Sequence, residues 1–190
     1  GICDSWEQTN GLVIHDSGTN SGLGTYSLSC SGATGGCPTS GNKDVYVEYD
    51  WLKGHKPNPA DLAVVATKFP SHGITLHLQE GEEIPVHRDV LGTLDDCTGG
   101  LDTDFEKLKK NYFGTPADRS NVNQLTLKRQ VFHYVIFGHG QANGISGLSE
   151  TNGQDVFITL GGRAGGIGSS DDIEGTFMHE LGHNLGLKHS

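Results

Sequence analysis

The feature that most constrains this chain lies near its end, in residues 179–189, which read HELGHNLGLKH. On an α-helix, residues four apart leave the same face one turn apart, so His179 and His183 can hold one metal ion together. Glu180 follows the first histidine, and a glutamate there can take a proton from a metal-bound water without itself binding the metal. The spacing therefore predicts a helix that carries a metal site.

A further histidine, His189, tests this interpretation, because on a continued helix it would point about 120° away from His183. The helix must therefore end before His189. Gly186 lies where that break is needed, since glycine adopts the left-handed conformation that ends a helix at little steric cost. With the chain turned back, three neutral imidazoles leave a tetrahedral Zn²⁺ one open position for water, as in catalytic zinc sites.

The complete pattern H-E-x-x-H-x-x-G-x-x-H resembles the long motif of the metzincin metallopeptidases. The resemblance implies that His179, His183 and His189 are the zinc ligands. It further implies that Glu180 is the general base and Gly186 the hinge, in an enzyme that hydrolyses peptide bonds of a protein or peptide substrate. A helix that merely happens to carry histidines, and a zinc site without activity, are the alternatives that the motif leaves open.

One part of the family pattern is missing from the printed residues. Metzincins place a methionine-containing turn beneath the zinc, after the third histidine, whereas Met178 is the only methionine here and precedes the motif. We therefore expect either that the native protein continues past Ser190 or that the site lacks its usual floor.

Composition argues against several other functions. The 190 residues are enough for one domain with a real core, and the formal net charge is -10. An acidic chain without a basic cluster argues against nucleic acid or an anionic membrane as partner. No apolar run approaches the roughly 18 residues that span a bilayer, and the sequence contains no phosphate loop or Ser-His-Asp arrangement.

The four cysteines lack the C-x-x-C spacing of a second zinc site. Cys30 and Cys37 bracket a glycine-rich segment that is flexible enough to let them meet, which would leave Cys3 to pair with Cys97. Four cysteines allow three pairings, so the others stay open. Two disulfides would indicate an oxidising, extracellular setting, secreted or at a cell surface. The competing interpretation makes Cys3 a thiolate that blocks the zinc in a latent form.

Residues 1–42 form a predicted Gly/Ser-rich leader. Its first residues resemble the second half of the calcium loop of EF-hand-like and thrombospondin type 3 repeats. In that resemblance Asp4 is a Ca²⁺ ligand and Glu7 is the bidentate carboxylate. A polar leader without calcium is the alternative.

Residues 43–190 are predicted to form the domain proper. Period-two alternation and β-branched runs predict strands over residues 43–51, 74–78, 131–137 and 155–160. Capping residues predict helices that begin after Asn58, after Thr103 and after Asp171, the last with Glu174 as its partner. The residues of the last helix that are predicted to face the core are Ile173, Phe177, Leu181 and Leu185.

Together with the metzincin resemblance, which covers about residues 43–189, this order predicts an α/β fold, mixed α+β and zincin-like. We expect a twisted, mostly parallel five-stranded sheet with an antiparallel edge strand, packed on about three helices that include the zinc-binding helix. The predicted edge strand is short and consists of Gly144, Ile145, Ser146, Gly147 and Leu148. The resemblance implies that the substrate pairs with it.

Seven histidines lie outside the motif, and none shows ligand spacing to another: His15, His55, His72, His77, His87, His133 and His139. Two of them, His77 and His133, lie in predicted strands and are expected to be hydrogen-bonded structural groups. The sequence thus predicts a secreted or cell-surface zinc endopeptidase domain. A non-catalytic structural or adhesive surface domain that keeps its zinc site is the alternative, and the oligomeric state is left open.

Overall fold

The computed structural model describes residues 11–15, 22–28, 36–38, 41–87, 104–141 and 144–189. The strands of these segments are β1 (Gly11–His15), β2 (Gly22–Ser27), β3 (Lys43–Leu52), β4 (Ile74–Ile84), β5 (Phe132–Gly138), β6 (Gly147–Ser149) and β7 (Asp155–Thr159). The α-helices are α1 (Pro59–Ala66), α2 (Asp104–Tyr112), α3 (Pro116–Ser120), α4 (Val122–Lys128) and α5 (Ser170–Asn184), with short 3₁₀ turns at Pro70–His72 and Ala164–Gly166.

Five strands form one sheet in the order β4-β3-β5-β7-β6. The first four run parallel to one another, and the edge strand β6 pairs antiparallel with β7. Parallel strands end at the same edge of a sheet, so the carboxyl ends of β4, β3, β5 and β7 lie together there. The predicted α/β architecture, mostly parallel with an antiparallel edge strand, is confirmed.

Helices cover both faces of this sheet. Leu62 of α1 and Phe177 of α5 pack in one core cluster, and Phe105 of α2 and Leu127 of α4 pack in the other. Because both faces are covered, β3 is buried along its whole length except at Lys43. Among the described residues there are five helices rather than about three, since the short helices α3 and α4 had not been predicted.

The helices α3 and α4 are each begun by a capping side chain. Thr115 and Asp118 form a capping box at the start of α3, and the side chain of Asn121 accepts the first backbone N–H bonds of α4. Both helices are short and carry few apolar residues, so their periodicity gives little signal in the sequence. None of the described helices is both long and apolar enough to cross a bilayer.

The strands β1 and β2 pair antiparallel as a separate hairpin. Tyr26 and Leu28, at its end, are buried in the core cluster that contains Phe132, and the Tyr26 and Phe132 rings meet edge to face at 6.1 Å. This part of the predicted leader therefore contributes to the core. The boundary predicted between residues 42 and 43 stays a prediction.

The polar residues of β3 were expected to alternate with its apolar ones, and they are buried as well. Asp44, Glu48 and Asp50 are 3%, 1% and 0% exposed. A buried carboxylate is costly unless it is hydrogen-bonded or paired. His77 meets this need for Asp44, with its Nε2 atom 2.5 Å from Asp44 Oδ1, so the expectation that His77 is a hydrogen-bonded structural group is confirmed.

The other two carboxylates also have partners. Glu48 accepts the backbone N–H of Gly114 at 2.8 Å and lies 2.5 Å from the ammonium of Lys128, which is itself fully buried. Asp50 accepts the Tyr134 hydroxyl at 2.5 Å and the backbone N–H of Glu82 at 2.6 Å. These contacts join β3 to β4, to β5 and to the segment around α4.

We predict that the contribution of Asp50 to the free energy of unfolding decreases as the pH rises. Burial raises the pKa of this carboxyl to about 7, the hydrogen bond from Tyr134 opposes the shift, and the charge of Glu48 adds to it. The folded state then holds a proton that the unfolded chain loses near pH 4. The stabilising contribution is fully present below about pH 4 and is lost as the pH rises through about 7, by up to about 1.4 kcal/mol per pH unit.

Denaturant unfolding across this pH range measures the effect. Asp50→Asn should show a smaller fall of the unfolding free energy with rising pH than the wild-type protein. Asp171→Asn, which changes an exposed aspartate, should keep the wild-type slope. If the unfolding free energy changed equally with pH in all three proteins, the raised pKa assigned to Asp50 would be contradicted.

Candidate metal centre

Helix α5 begins at a cap that differs from the predicted one. Ser169 is the N-cap residue, its hydroxyl accepts the backbone N–H of Asp172 at 3.2 Å, and the Asp172 carboxylate accepts the Ser169 N–H at 3.0 Å. The predicted pair of Asp171 and Glu174 is therefore wrong. Gly168, with a positive φ of 84°, turns the chain just before Ser169, so the helix starts there.

The end of α5 confirms Gly186 as the break. Gly186 has a φ of 93°, its N–H donates to the carbonyl of His183, and the N–H of Leu187 donates to the carbonyl of Gly182, both at 2.9 Å. These two bonds are those of a Schellman motif, which satisfies the last carbonyls of a helix and reverses the chain. The prediction that Leu185 faces the core is wrong, since this C-cap residue is 39% exposed.

This reversal brings three imidazoles together. The Nε2 atoms of His179 and His183 are 3.2 Å apart, those of His183 and His189 are 3.1 Å apart, and those of His189 and His179 are 3.0 Å apart. Zinc bound tetrahedrally at 2.0–2.1 Å from each nitrogen would need separations of about 3.3 Å. The arrangement fits one zinc ion within a few tenths of an ångström.

The tautomer of His183 also suits a metal ligand. Its Nδ1 donates to the carbonyl of Leu187 at 2.8 Å, so Nε2 carries the lone pair. A lone pair directed at two further ring nitrogens is favourable when a cation lies between them. The chemistry of the donor set therefore agrees with the geometry.

Glu180 lies beside these imidazoles and points toward the edge strand. It is 6% exposed, and burial raises the pKa of its carboxyl while His183 and His189 oppose the rise. A β-carbon on Gly147 would lie 2.6 Å from both Cγ and Oε1 of Glu180. Real β-carbons do not approach other atoms so closely, so a glycine at position 147 lets the carboxyl group sit against β6.

A groove of about 730 Å³ runs between β6 and α5. The three clustered histidines and Glu180 lie on its helix side. The residues of the predicted edge strand line its other side: Gly144, Ile145, Ser146, Gly147 and Leu148. The strand itself is Gly147–Ser149 rather than residues 144–148. The structure thus brings the predicted ligands, the predicted base and the predicted substrate edge to one groove.

Comparison with known proteins agrees with this arrangement. The family model described as Metallo-peptidase family M12B Reprolysin-like matches residues 63–190, which is most of the chain. The chain belongs to this metallopeptidase family. A search among curated proteins found no match. The predicted resemblance to a metzincin metallopeptidase is confirmed by the family match and by the geometry of the histidines.

One residue that supports the site in this M12B domain had not been predicted. Asn184 is 4% exposed, and its side-chain amide donates to Ser149 Oγ at 2.6 Å and to the Glu150 carbonyl at 2.8 Å. Its Oδ1 accepts from Nδ1 of His133 at 3.0 Å, which confirms His133 as a hydrogen-bonded structural group. The sequence signal for this supporting role was the position of Asn184, a polar residue on the same helix face as Leu181, where apolar residues are expected.

Several predicted residues lie outside the described part of the chain. These are the calcium candidates Asp4 and Glu7 and three of the disulfide candidates, Cys3, Cys30 and Cys97. Cys37 is described and is disulfide-bonded. Both predicted pairings stay predictions.

Three of the histidines that show no ligand spacing along the chain nevertheless lie close together in the structure. His55, His87 and His139 form a second group, in which one nitrogen of each ring lies within 4.8 Å of the others. Spacing along the chain could not reveal this group, because its members follow three different strands.

We predict that His183→Ala weakens zinc binding at the α5 site by more than the roughly 10- to 100-fold that loss of an outer hydrogen-bond partner costs, because it removes a ligand. Equilibrium zinc titration with a competing chelator measures the affinity. His72→Ala, at an exposed histidine outside both groups, is the matched control. Unchanged affinity in His183→Ala would exclude this residue as a ligand.

Proposed function

We propose that the chain is a zinc-dependent endopeptidase domain. The observation that carries this proposal is the convergence of three imidazole nitrogens at 3.0–3.2 Å from one another, beside a carboxyl group on the wall of an open groove. When bound to these nitrogens, zinc supplies a Lewis acid that polarises the carbonyl of the bond to be cleaved.

In this proposal Glu180 is the general base. It takes a proton from the attacking water and later gives that proton to the leaving amine. Two features support the role: Glu180 lies next to the three histidines without being one of that group, and burial raises the pKa of its carboxyl, which makes the carboxylate a stronger base than an exposed one.

The substrate binds as an extended strand along β6. That strand pairs with β7 on one side, through Gly147 with Ile158 and Ser149 with Val156, and it is the last strand of the sheet among the described residues. Its outer edge therefore offers backbone donors and acceptors to a peptide. A peptide held there lies in the groove, opposite the histidines and Glu180.

We also propose an extracellular location, secreted or at a cell surface. The disulfide of Cys37 supports this location, because disulfide bonds persist in oxidising compartments and are rare in the cytosol.

Replacement of Glu180 by Gln tests the reaction. Glutamine keeps the size of the side chain and removes the base, so zinc binding should persist while peptide hydrolysis falls by a factor of about 100 to 10,000. Glu174→Gln makes the same change on the same helix at a residue that does not line the groove, and should leave hydrolysis unchanged.

The measurement is the cleavage of casein or a peptide library by the native protein. Loss of zinc in Glu180→Gln would mean that the residue orients the metal site instead of acting as the base. A native protein that binds zinc yet cleaves nothing would favour the alternative of a structural or adhesive surface domain.

A second prediction concerns the close approach of β6 to the base. Gly147→Ala should push the Glu180 carboxyl away from its position, since the new β-carbon would overlap it, and overpacking of this kind costs about 1–3 kcal/mol. We expect hydrolysis to fall at least about 10-fold, because catalysis is sensitive to small misplacements of the reacting groups. Zinc affinity should stay within a few-fold.

Gly162→Ala is the matched control for this substitution, because a β-carbon there meets nothing within 4 Å. It should cleave peptides at the wild-type rate. Hydrolysis that is equally fast in Gly147→Ala would show that the position of Glu180 does not limit the reaction.

A further inference from the structure

A second group of histidines lies at the carboxyl ends of three neighbouring strands. His55 follows β3, His87 follows β4 and His139 follows β5. The strand order places β3 between β4 and β5, and both pairings are parallel. Because these strands are parallel, all three end at the same edge of the sheet, and the residues that follow them lie close together although they are far apart in the sequence.

The three rings form a compact group. Ring centroids are 5.1 Å apart for His55 and His87, 5.1 Å for His55 and His139, and 5.5 Å for His87 and His139. One nitrogen of each ring lies within 4.8 Å of the others. A tetrahedral zinc ion would need about 3.3 Å between nitrogens. Separations of up to 4.8 Å would therefore have to shorten when an ion binds.

Backbone carbonyls hold two of these imidazoles in the tautomer that leaves Nε2 free to bind a metal. Nδ1 of His55 donates to the carbonyl of Gly166 at 2.9 Å, and Nδ1 of His87 donates to the carbonyl of Lys53 at 3.2 Å. In both rings the lone pair then belongs to Nε2. A hydrogen bond from the other ring nitrogen to a carbonyl is the usual outer support of a metal-bound histidine.

Two ring nitrogens in this group are buried without hydrogen-bond partners among the described residues. They are Nε2 of His55 and Nδ1 of His139. His139 packs so tightly on Gly161 that a β-carbon there would lie 2.3 Å from Nδ1, and the Gly161 N–H donates to the His139 carbonyl at 2.6 Å. An unpaired buried polar atom costs about 1–3 kcal/mol, and a bound cation would remove that cost at Nε2 of His55.

We propose that His55, His87 and His139 bind a second transition-metal ion, separate from the one at α5. Three imidazoles without a carboxylate are a donor set for Zn²⁺, and also for Cu²⁺ or Ni²⁺, whereas Ca²⁺ and Mg²⁺ prefer oxygen. Zinc is the metal expected in the protein, because an ion of the same kind fits the first group.

The second ion has a structural role. It links the ends of three strands and, through the bond from His55 to Gly166, holds the loop that leads into α5. A cavity lined by His139, Gly144, Ile145 and Arg163 lies beside it, and the last three of these residues also line the substrate groove. The ion thus stabilises one wall of the groove without taking part in proton transfer.

Zinc stoichiometry tests the proposal without any assay of hydrolysis. The whole chain is stripped with a chelator, titrated with zinc alone and analysed for bound metal after gel filtration. We expect two zinc ions per chain for the wild-type protein and for His72→Ala, one for His87→Ala, one for His183→Ala and none for the double variant. His87 is exposed, so its replacement should leave the fold intact, which circular dichroism checks.

Thermal unfolding separates this site from the one at α5. In the His183→Ala background, added zinc should still raise Tm, because ligand that binds the folded state stabilises it. Adding His87→Ala should abolish the rise. One zinc per wild-type chain that is still bound after His87→Ala, or a rise in Tm that survives His87→Ala in this background, would overturn the proposal. If the α5 site alone failed to bind, the wild-type chain would hold one zinc ion, which His87→Ala would remove and His183→Ala would not.

Discussion

The reversal of the chain at Gly186 is the constraint on which the metal centre depends. His179 and His183 share a helix face by spacing alone, but His189 reaches them only because α5 ends and the next residues fold back. A side chain at position 186 would be strained, since φ is 93°, and its β-carbon would lie 2.5 Å from Oδ1 of Asn152. Backbone conformation and local packing therefore both require glycine here.

The helix end is held from the side of the sheet as well. The backbone N–H of Asn152 donates to the His183 carbonyl at 3.1 Å, and the Asn184 side-chain amide donates to Ser149 Oγ at the end of β6 and to the carbonyl of the next residue, Glu150. Phe177 and Leu181 are fully buried against the sheet. The packing of α5 thus fixes the distance between the imidazoles and β6, and Gly147 lets Glu180 occupy the space between them.

Much of this could be predicted from the sequence, because the decisive signals are local. The motif predicted the three histidines that the structure brings together and the helix break at Gly186, and the alternation of strands and helices predicted the parallel sheet. The cap of α5 was missed because Asp171 and Glu174, two residues further along the chain, have the same i, i+3 spacing as the true pair Ser169 and Asp172 and are also capping residue types. The backbone turn at Gly168 decides between them, and its conformation cannot be read from residue type alone.

The contacts that were missed are those between distant segments. The burial of Glu48 and Asp50 depends on Lys128 and Tyr134, which lie on other elements. The second histidine group likewise depends on strand order, since His55, His87 and His139 are not separated by the sequence spacing of a metal-binding motif. Strand β4 also continues to Ile84, past the predicted end at residue 78, because pairing with β3 supports polar residues that the alternation rule excludes.

The central claim is that one zinc ion is bound by the histidines of α5 and its return segment, with Glu180 beside the ion but not bound to it. Crystals grown with zinc and measured at the zinc absorption edge would test this claim directly. The account predicts an anomalous peak about 2.0–2.1 Å from Nε2 of His179, His183 and His189, with the Glu180 carboxylate outside bonding distance. A peak coordinated by Glu180, or no peak among these three nitrogens, would contradict it.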